Sequence, residues 1–213
     1  MQTRGLPTRT ALPALSKWLK SPEGRGIFGT KTRRPAPTRM ISVIIPAHNE
    51  AEYLERTLEA LRRQDYLWCE VIVVANGCTD ATPEVAKGNC DRLIVLSQKS
   101  LGVARNLGAR LAKGEILLFL DADTLLEPVA LRKIAEEFTS EYAAGTVRGQ
   151  PDNQRLRYRL FYLLKNTLHR SLLHSGSSGV ILCWKEHFLR VGGFDEGLEV
   201  RENSELMRRP LGG

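Results

Sequence analysis

The chain has 213 residues, 42% of them hydrophobic, enough to bury one sizeable core and too few for two ordinary domains with linkers. Its net charge of +7 comes from the front: residues 1–39 hold nine Lys and Arg against the single acid Glu23, leaving 22 basic and 23 acidic residues elsewhere. A near-neutral body argues against nucleic acid as a partner, and the longest apolar runs, such as Ile116 to Leu120, fall far below the roughly 20 residues that span a bilayer.

Residues 1–39 are rich in Pro, Gly, Thr and Arg and carry neither a helical nor an alternating apolar period. They are expected to form a disordered basic extension, with a mis-assigned start before Met40 or a targeting segment as alternatives. From Met40 the pattern turns regular. Buried parallel strands are predicted at Ile41–Pro46, Glu70–Ala75, Arg92–Leu96 and Ile116–Leu120. Between and after them, helices are predicted at Glu50–Arg63, Asp80–Lys87, Leu101–Ala112 and Pro128–Thr139, with Pro128 in the first turn. The alternation predicts a parallel α/β sheet with right-handed crossovers. Leucines at 156, 160, 164, 168 and 172, with Arg155, Arg157, Arg159, Lys165, His169 and Arg170 around the turn, predict an amphipathic basic helix. It packs on the sheet or docks to an anionic membrane surface. Cys69, Cys78, Cys90 and Cys183 form no CxxC pair and are read as reduced thiols in a cytosolic setting.

Parallel α/β sheets bind ligands beyond the carboxyl ends of their strands. The first strand ends in Pro46, Ala47, His48, Asn49 and Glu50, the second in Ala75, Asn76, Gly77, Cys78, Thr79 and Asp80, the fourth in Asp121, Ala122 and Asp123. Polar residues of three loops therefore converge on one edge. Two carboxylates at spacing two, directly after an apolar strand, suit a hard cation such as Mg²⁺ or Mn²⁺, which prefers oxygen ligands and shares its shell with phosphate oxygens. Gly77 and Gly114 fit tight turns.

Four stretches stand in the order found in inverting family 2 glycosyltransferases: SVIIPAHNE (42–50), VIVVANGCTDAT (71–82), GVARNLGARLAKGEILLFLDAD (102–123) and GSSGVILCWKEHFLRVGGFDE (176–196). With ENSEL (202–206), the chain resembles that family over residues 40–206, and 40–213 is read as its catalytic domain, cut short at the C-terminus. The resemblance implies a GT-A fold, a Rossmann-like, mostly parallel sheet flanked by helices. It also implies transfer of a sugar from a UDP-, GDP- or dTDP-sugar to a glycan or lipid-linked acceptor, in the cytoplasm or at the cytoplasmic face of a membrane. Pro46, Ala47, His48 and Glu50 would line the nucleotide pocket with Asn76 and Asp80. Arg105 would lie near the phosphates, unless it forms a surface salt bridge, and Asp121, Ala122 and Asp123 near ribose and metal. Gly176, Ser177, Ser178, Gly179, Trp184, Gly193, Phe194 and Asp195 would surround donor sugar and acceptor, with Trp184 equally a core residue. Gly192 and Gly193 would let the chain pass close to a bound sugar or to another segment.

Inversion needs a base for the acceptor proton. The family places an Asp where this chain has Asn203, which cannot hold a proton at neutral pH, so Glu202 is the expected base and Glu205 the second choice. Acidic residues usual in the second motif are likewise replaced by Ala75 and Asn76. Two rival readings follow. Ile116–Thr124 approaches the DxDxT pattern of haloacid-dehalogenase-type phosphatases, with Thr124 one place early, but the only later Asp residues, Asp152 and Asp195, make no pair of the kind that family needs. A non-catalytic sugar-nucleotide-binding homologue is the alternative that Asn203 raises.

Overall fold

The computed structural model describes residues 39–147 and 179–197. The extension to residue 38, the helix predicted at Leu156–Leu172 and the ENSEL stretch lie outside the described residues. The path runs β1 (Ile41–Ala47), α1 (Ala51–Arg62), β2 (Cys69–Asn76), α2 (Thr82–Ala86), β3 (Arg92–Leu96), α3 (Leu101–Leu111), β4 (Ile116–Leu120), α4 (Ala130–Glu137), β5 (Ala144–Thr146), β6 (Val180–Trp184), α5 (Lys185–Arg190).

The strands form one sheet in the order β3-β2-β1-β4-β6-β5. β1 pairs in parallel with β2 and β4, and β2 with β3, while β6 runs antiparallel to β4 and β5. Strand order therefore reverses between β1 and β4, and a reversal of this kind opens a crevice at the strand carboxyl ends.

Helices cover both faces, which is why the strands read as continuous apolar runs and not as an alternation. On one face Val43, Ile45 and Leu118 pack with Leu54, Leu58, Leu131 and Ile134 from α1 and α4. On the other, Ile44, Ile72, Leu117 and Phe119 pack with Ala104, Ala109, Phe188 and Phe194. Each large apolar side chain buried here contributes about 1.5–3 kcal/mol. Small residues let α3 approach the sheet closely: a Cβ on Gly108 would lie 2.5 Å from Ile44 Cγ2.

Several sequence expectations shift. β3 is not a buried strand but the sheet edge, half-buried, with Val95 61% exposed. α4 begins at Ala130 and not at Pro128, whose carbonyl accepts from the Asp65 N–H at 3.0 Å. Gly114 does not supply a left-handed turn. It is needed because a Cβ there would lie 2.6 Å from the Met40 carbonyl oxygen. Its N–H donates to Ser42 Oγ (2.8 Å), and that hydroxyl donates to buried Glu70 (2.6 Å), so two polar strand residues hold the turn into β4. β5 and β6, antiparallel to their neighbours, were not foreseen, because their short runs carry no helical crossover to announce them.

Candidate functional site

The loops after β1 and β2 are tied into one rim. Asn49 adopts the left-handed conformation (φ 55°), which Asn tolerates better than most residues, and its Oδ1 accepts from the N–H groups of Thr79 (2.8 Å) and Asp80 (3.3 Å). Asp80 takes the Thr82 N–H (3.0 Å) and hydroxyl (2.5 Å) on one oxygen and the Ala51 N–H (3.2 Å) on the other, so it serves the starts of both α1 and α2. Thr82 Oγ1 in turn accepts from the Glu50 N–H at 2.8 Å. His48 donates from Nδ1 to the Asn76 carbonyl (2.7 Å), because a carbonyl oxygen can only accept, and this fixes the ring on the rim. Gly77 makes the turn (φ 62°) as expected, and a Cβ there would sit 2.7 Å from the Lys99 nitrogen.

Across the reversal stands the end of β4. The Asp121 N–H donates to the Gly179 carbonyl (3.0 Å), the Thr124 N–H returns to the Asp121 carbonyl (3.0 Å), and Thr57 Oγ1 donates to the Ala122 carbonyl (2.7 Å). Asp121 is thereby fixed at the mouth, half-buried, with Asp123 exposed beyond it. Arg105, from α3 and only 4% exposed, donates to Asp121 Oδ1 at 3.1 Å, and its guanidinium lies over the Phe194 ring, 5.1 Å from the centroid. The cation is buried and the carboxylate half-buried, so this is not the surface salt bridge that served as its alternative. Gly179 (φ 78°) leaves the other oxygen clear: a Cβ there would lie 3.1 Å from Asp121 Oδ2.

The electrostatics join the two sides. Burial, then the charges of Asp123 and Asp80, push the Glu50 carboxyl above its ordinary 4.5, with His48 opposing and Asp121 adding a smaller push. Burial likewise pushes Asp121 above 3.8, with Arg105 opposing and Asp123 adding. Asp80 moves the other way, held below 3.8 by its hydrogen bond from the Thr82 hydroxyl. Glu50, Asp80, Asp121 and Asp123 thus share one field in which like charges raise Glu50 and Asp121, and a cation would relieve that repulsion. Among the described residues no group of three or more His, Cys, Asp or Glu is placed to hold a metal ion. Two hard carboxylates at a mouth fit a cation that draws its remaining ligands from phosphate and water.

Not every predicted residue reaches this space. Pro46 and Ala47 are enclosed within β1, and Ala122 is 4% exposed. Asn76 is 2% exposed, and its Oδ1 accepts from the Ser100 N–H (2.7 Å) at the cap of α3, so it secures the loop. Trp184 is placed elsewhere: it pairs with Ile116, the first residue of β4, roughly 13 Å along the strand from the Leu120 end. Its ring stacks on Phe138, and its Nε1 donates to the Tyr142 carbonyl (2.9 Å), so these contacts pack it at that end of the sheet. Phe194, 2% exposed, packs in the core against Phe119 and Phe188. Gly193 (φ 75°) makes a close approach to another segment, since a Cβ would lie 2.6 Å from Asn106 Oδ1. Asp195 is exposed beside the first turn of α3, where its carbonyl oxygen would lie 3.0 Å from a Cβ on Gly102. Gly176, Ser177, Ser178, Glu202, Asn203 and Glu205 lie outside the described residues.

The sequence placed Asn49 on this edge but gave no role to Asn49, Thr82 or Asn106. The first two carried a signal, an Asn tolerant of positive φ and a Thr two residues after an Asp; a polar residue inside a helix gave none. The shallow groove lined by Leu61, Tyr66, Cys69 and Cys90 lies where β2 begins, at the far end of the strand from these carboxylates.

Comparison with known proteins bears on the same residues. The profile described as Glycosyl transferase family 2 matches residues 42–189. The validoxylamine A glucosyltransferase of Streptomyces hygroscopicus subsp. jinggangensis is 32% identical, over 74% of this chain and 47% of its own length. Among solved structures, the mannosyltransferase PcManGT of Pyrobaculum calidifontis, in complex with GDP-Man and Mn²⁺, superposes with a TM-score of 0.65 at 23% identity, covering 89% of this chain and 55% of that one. Glucosyl-3-phosphoglycerate synthase of Mycobacterium tuberculosis, in complex with Mn²⁺, UDP and glucosyl-3-phosphoglycerate, gives 0.52 at 22% identity, covering 71% and 59%. These likenesses agree with the α/β architecture of a mostly parallel sheet flanked by helices; the chain spans about half the length of each of these three proteins.

Proposed function

Because the chain belongs to glycosyl transferase family 2, we propose that it transfers a sugar, with inversion, from a nucleoside-diphosphate sugar to a hydroxyl or lipid-phosphate acceptor. One observation carries the reading: Asp121 and Asp123 leave β4 at the strand-order reversal and share their field with Glu50 and Asp80 from the facing rim. Asp121 Oδ2 and Asp123 would hold Mg²⁺ or Mn²⁺, which when bound neutralises charge on the departing diphosphate. The donor would be a UDP-, GDP- or dTDP-sugar.

The chain's own residues do the rest. His48 and Glu50 offer polar groups from the nucleotide side, on a rim that Asn49, Asp80 and Thr82 hold fixed. Arg105 keeps Asp121 oriented while adding positive potential next to the phosphates. In the reaction the acceptor oxygen attacks the anomeric carbon from the face opposite the diphosphate, the bond to the diphosphate oxygen breaks, and Glu202 takes the acceptor proton, with Glu205 as second choice. A cytoplasmic site, with contact at the membrane face, suits the four free thiols and a lipid-linked acceptor. Among the described residues no helix is long and apolar enough to cross a membrane.

The test is thermal-shift and turnover measurement with UDP-, GDP- and dTDP-sugars in Mn²⁺. Metal-dependent stabilisation by one nucleotide class, and sugar release lost in Asp123→Ala, are the expected results. Binding without release would favour the non-catalytic homologue that Asn203 raises, and no metal-dependent binding of any donor would overturn the reading.

A further inference from the structure

We propose that Asn106 and Phe194 are positioning residues that brace Arg105 against Asp121, and so set how the aspartate pair presents itself to a cation. The inference rests on the reading of Asp121 and Asp123 given above.

The argument starts with a buried amide. Asn106 is 4% exposed in the interior of α3, where a polar side chain is costly unless its groups are bonded. Both ends are used on one turn. Its Oδ1 accepts from the Phe194 N–H (2.8 Å), and its Nδ2 donates to the Phe194 carbonyl (2.9 Å) and to Glu196 Oε1 (2.9 Å). One side chain thus grips both backbone polar groups of a single residue, as a strand neighbour would. Arg110 adds a looser hold on Glu196 at 3.8 Å.

What is gripped is the floor under the guanidinium. The Phe194 ring is wedged edge-on against Phe119 of β4 (5.0 Å between centroids) and against Phe188 of α5 (5.5 Å), so it cannot shift without moving the sheet. Arg105 lies over that ring, and a cation is attracted to an aromatic face, the more so when desolvated. The guanidinium is thereby held between ring and Asp121 Oδ1. Because Arg105 and Asn106 are consecutive on α3, a rotation of the helix that served one contact would break the other. The turn at 193–196 thus braces the residue that orients Asp121.

Groups behind a ligating carboxylate typically change metal affinity by about 10- to 100-fold when removed. The full chain would be titrated with Mn²⁺ in the presence of UDP and, separately, GDP, following free Mn²⁺ by electron paramagnetic resonance. Phe194→Leu keeps apolar volume and removes the ring face; Asn106→Asp keeps the acceptor for the Phe194 N–H and turns the donor into a charge facing Glu196. Both are expected to weaken Mn²⁺ binding by about tenfold or more with the circular dichroism of the fold unchanged. Adding Glu196→Gln to Asn106→Asp removes the repulsion between the two carboxylates while the Phe194 carbonyl still lacks its donor, so it is expected to recover affinity in part, by about threefold or more over Asn106→Asp, a rescue that loss of bulk stability would not produce. Parent-like Mn²⁺ affinity in Phe194→Leu, or no recovery in the double variant, would overturn the brace alone. Failure of the parent chain to bind Mn²⁺ with either nucleotide would overturn the metal reading and the brace with it.

Discussion

Arg105 Nη2 and Asp121 Oδ1 stand 3.1 Å apart, joining a buried helix residue to the half-buried end of β4. The pair is asymmetric: the cation is 4% exposed and the carboxylate 40%. Removing either partner therefore has different consequences from removing Asp123, which lies out in solvent.

Arg105→Met and Asp121→Asn should each lower folding stability by about 1–3 kcal/mol, less than the loss usual for a fully buried pair because water still reaches the carboxylate. Asp123→Ala should leave stability within about 0.5 kcal/mol while removing metal-dependent donor binding. Urea unfolding without metal checks the first statement and donor titration the second; equal stability losses in all three variants would contradict the assignment.

The raised carboxyls set a pH dependence. In the folded chain Asp121 and Glu50 titrate above their ordinary 3.8 and 4.5, so the stability they contribute is fully present below those values and is lost as pH rises through the raised ones. Asp80 is depressed, so its contribution is present above 3.8 and is lost as pH falls through its lowered value. A cation reverses the first trend by favouring the ionised carboxyls. Mn²⁺ should thus stabilise more at neutral than at mildly acid pH, with proton release on binding at the acid end. Calorimetry in two buffers of different ionisation enthalpy measures that release.

Trp184→Phe should leave donor affinity within about twofold, because the ring lies at the wrong end of β4, and should cost about 1 kcal/mol of stability through the lost bond to the Tyr142 carbonyl. A large loss of donor affinity with stability retained would return Trp184 to the site.

Glu202→Gln should reduce transfer by a factor on the order of 10² or more while donor affinity stays within about tenfold. Rapid-quench turnover beside equilibrium binding separates the two. Unchanged turnover would pass the role to Glu205.

The parallel half of the fold was legible because its strands are β-branched runs set between helices of clear period, from Ile41 to Leu120. The antiparallel half was not: Ala144–Thr146 is too short to show a period, and Val180–Trp184 reads as one more apolar run. At the site, acids directly after strands declared themselves by position. Phe194 and Trp184 did not, because an aromatic near a glycine pair looks alike whether it meets a sugar or a core. Only the register of β6 on β4 and the grip of Asn106 separate those cases.

The knotting of the first two loops by Asn49, Asp80 and Thr82 has a kinetic meaning. Freezing a flexible segment on ligand capture costs about 1–2 kcal/mol for each residue ordered, and this wall has already met that cost during folding. A nucleotide arriving here encounters a surface in its final shape, so capture on this side should be a single fast phase. Any slow phase seen when donor is mixed with the protein would have its origin in chain beyond these three residues.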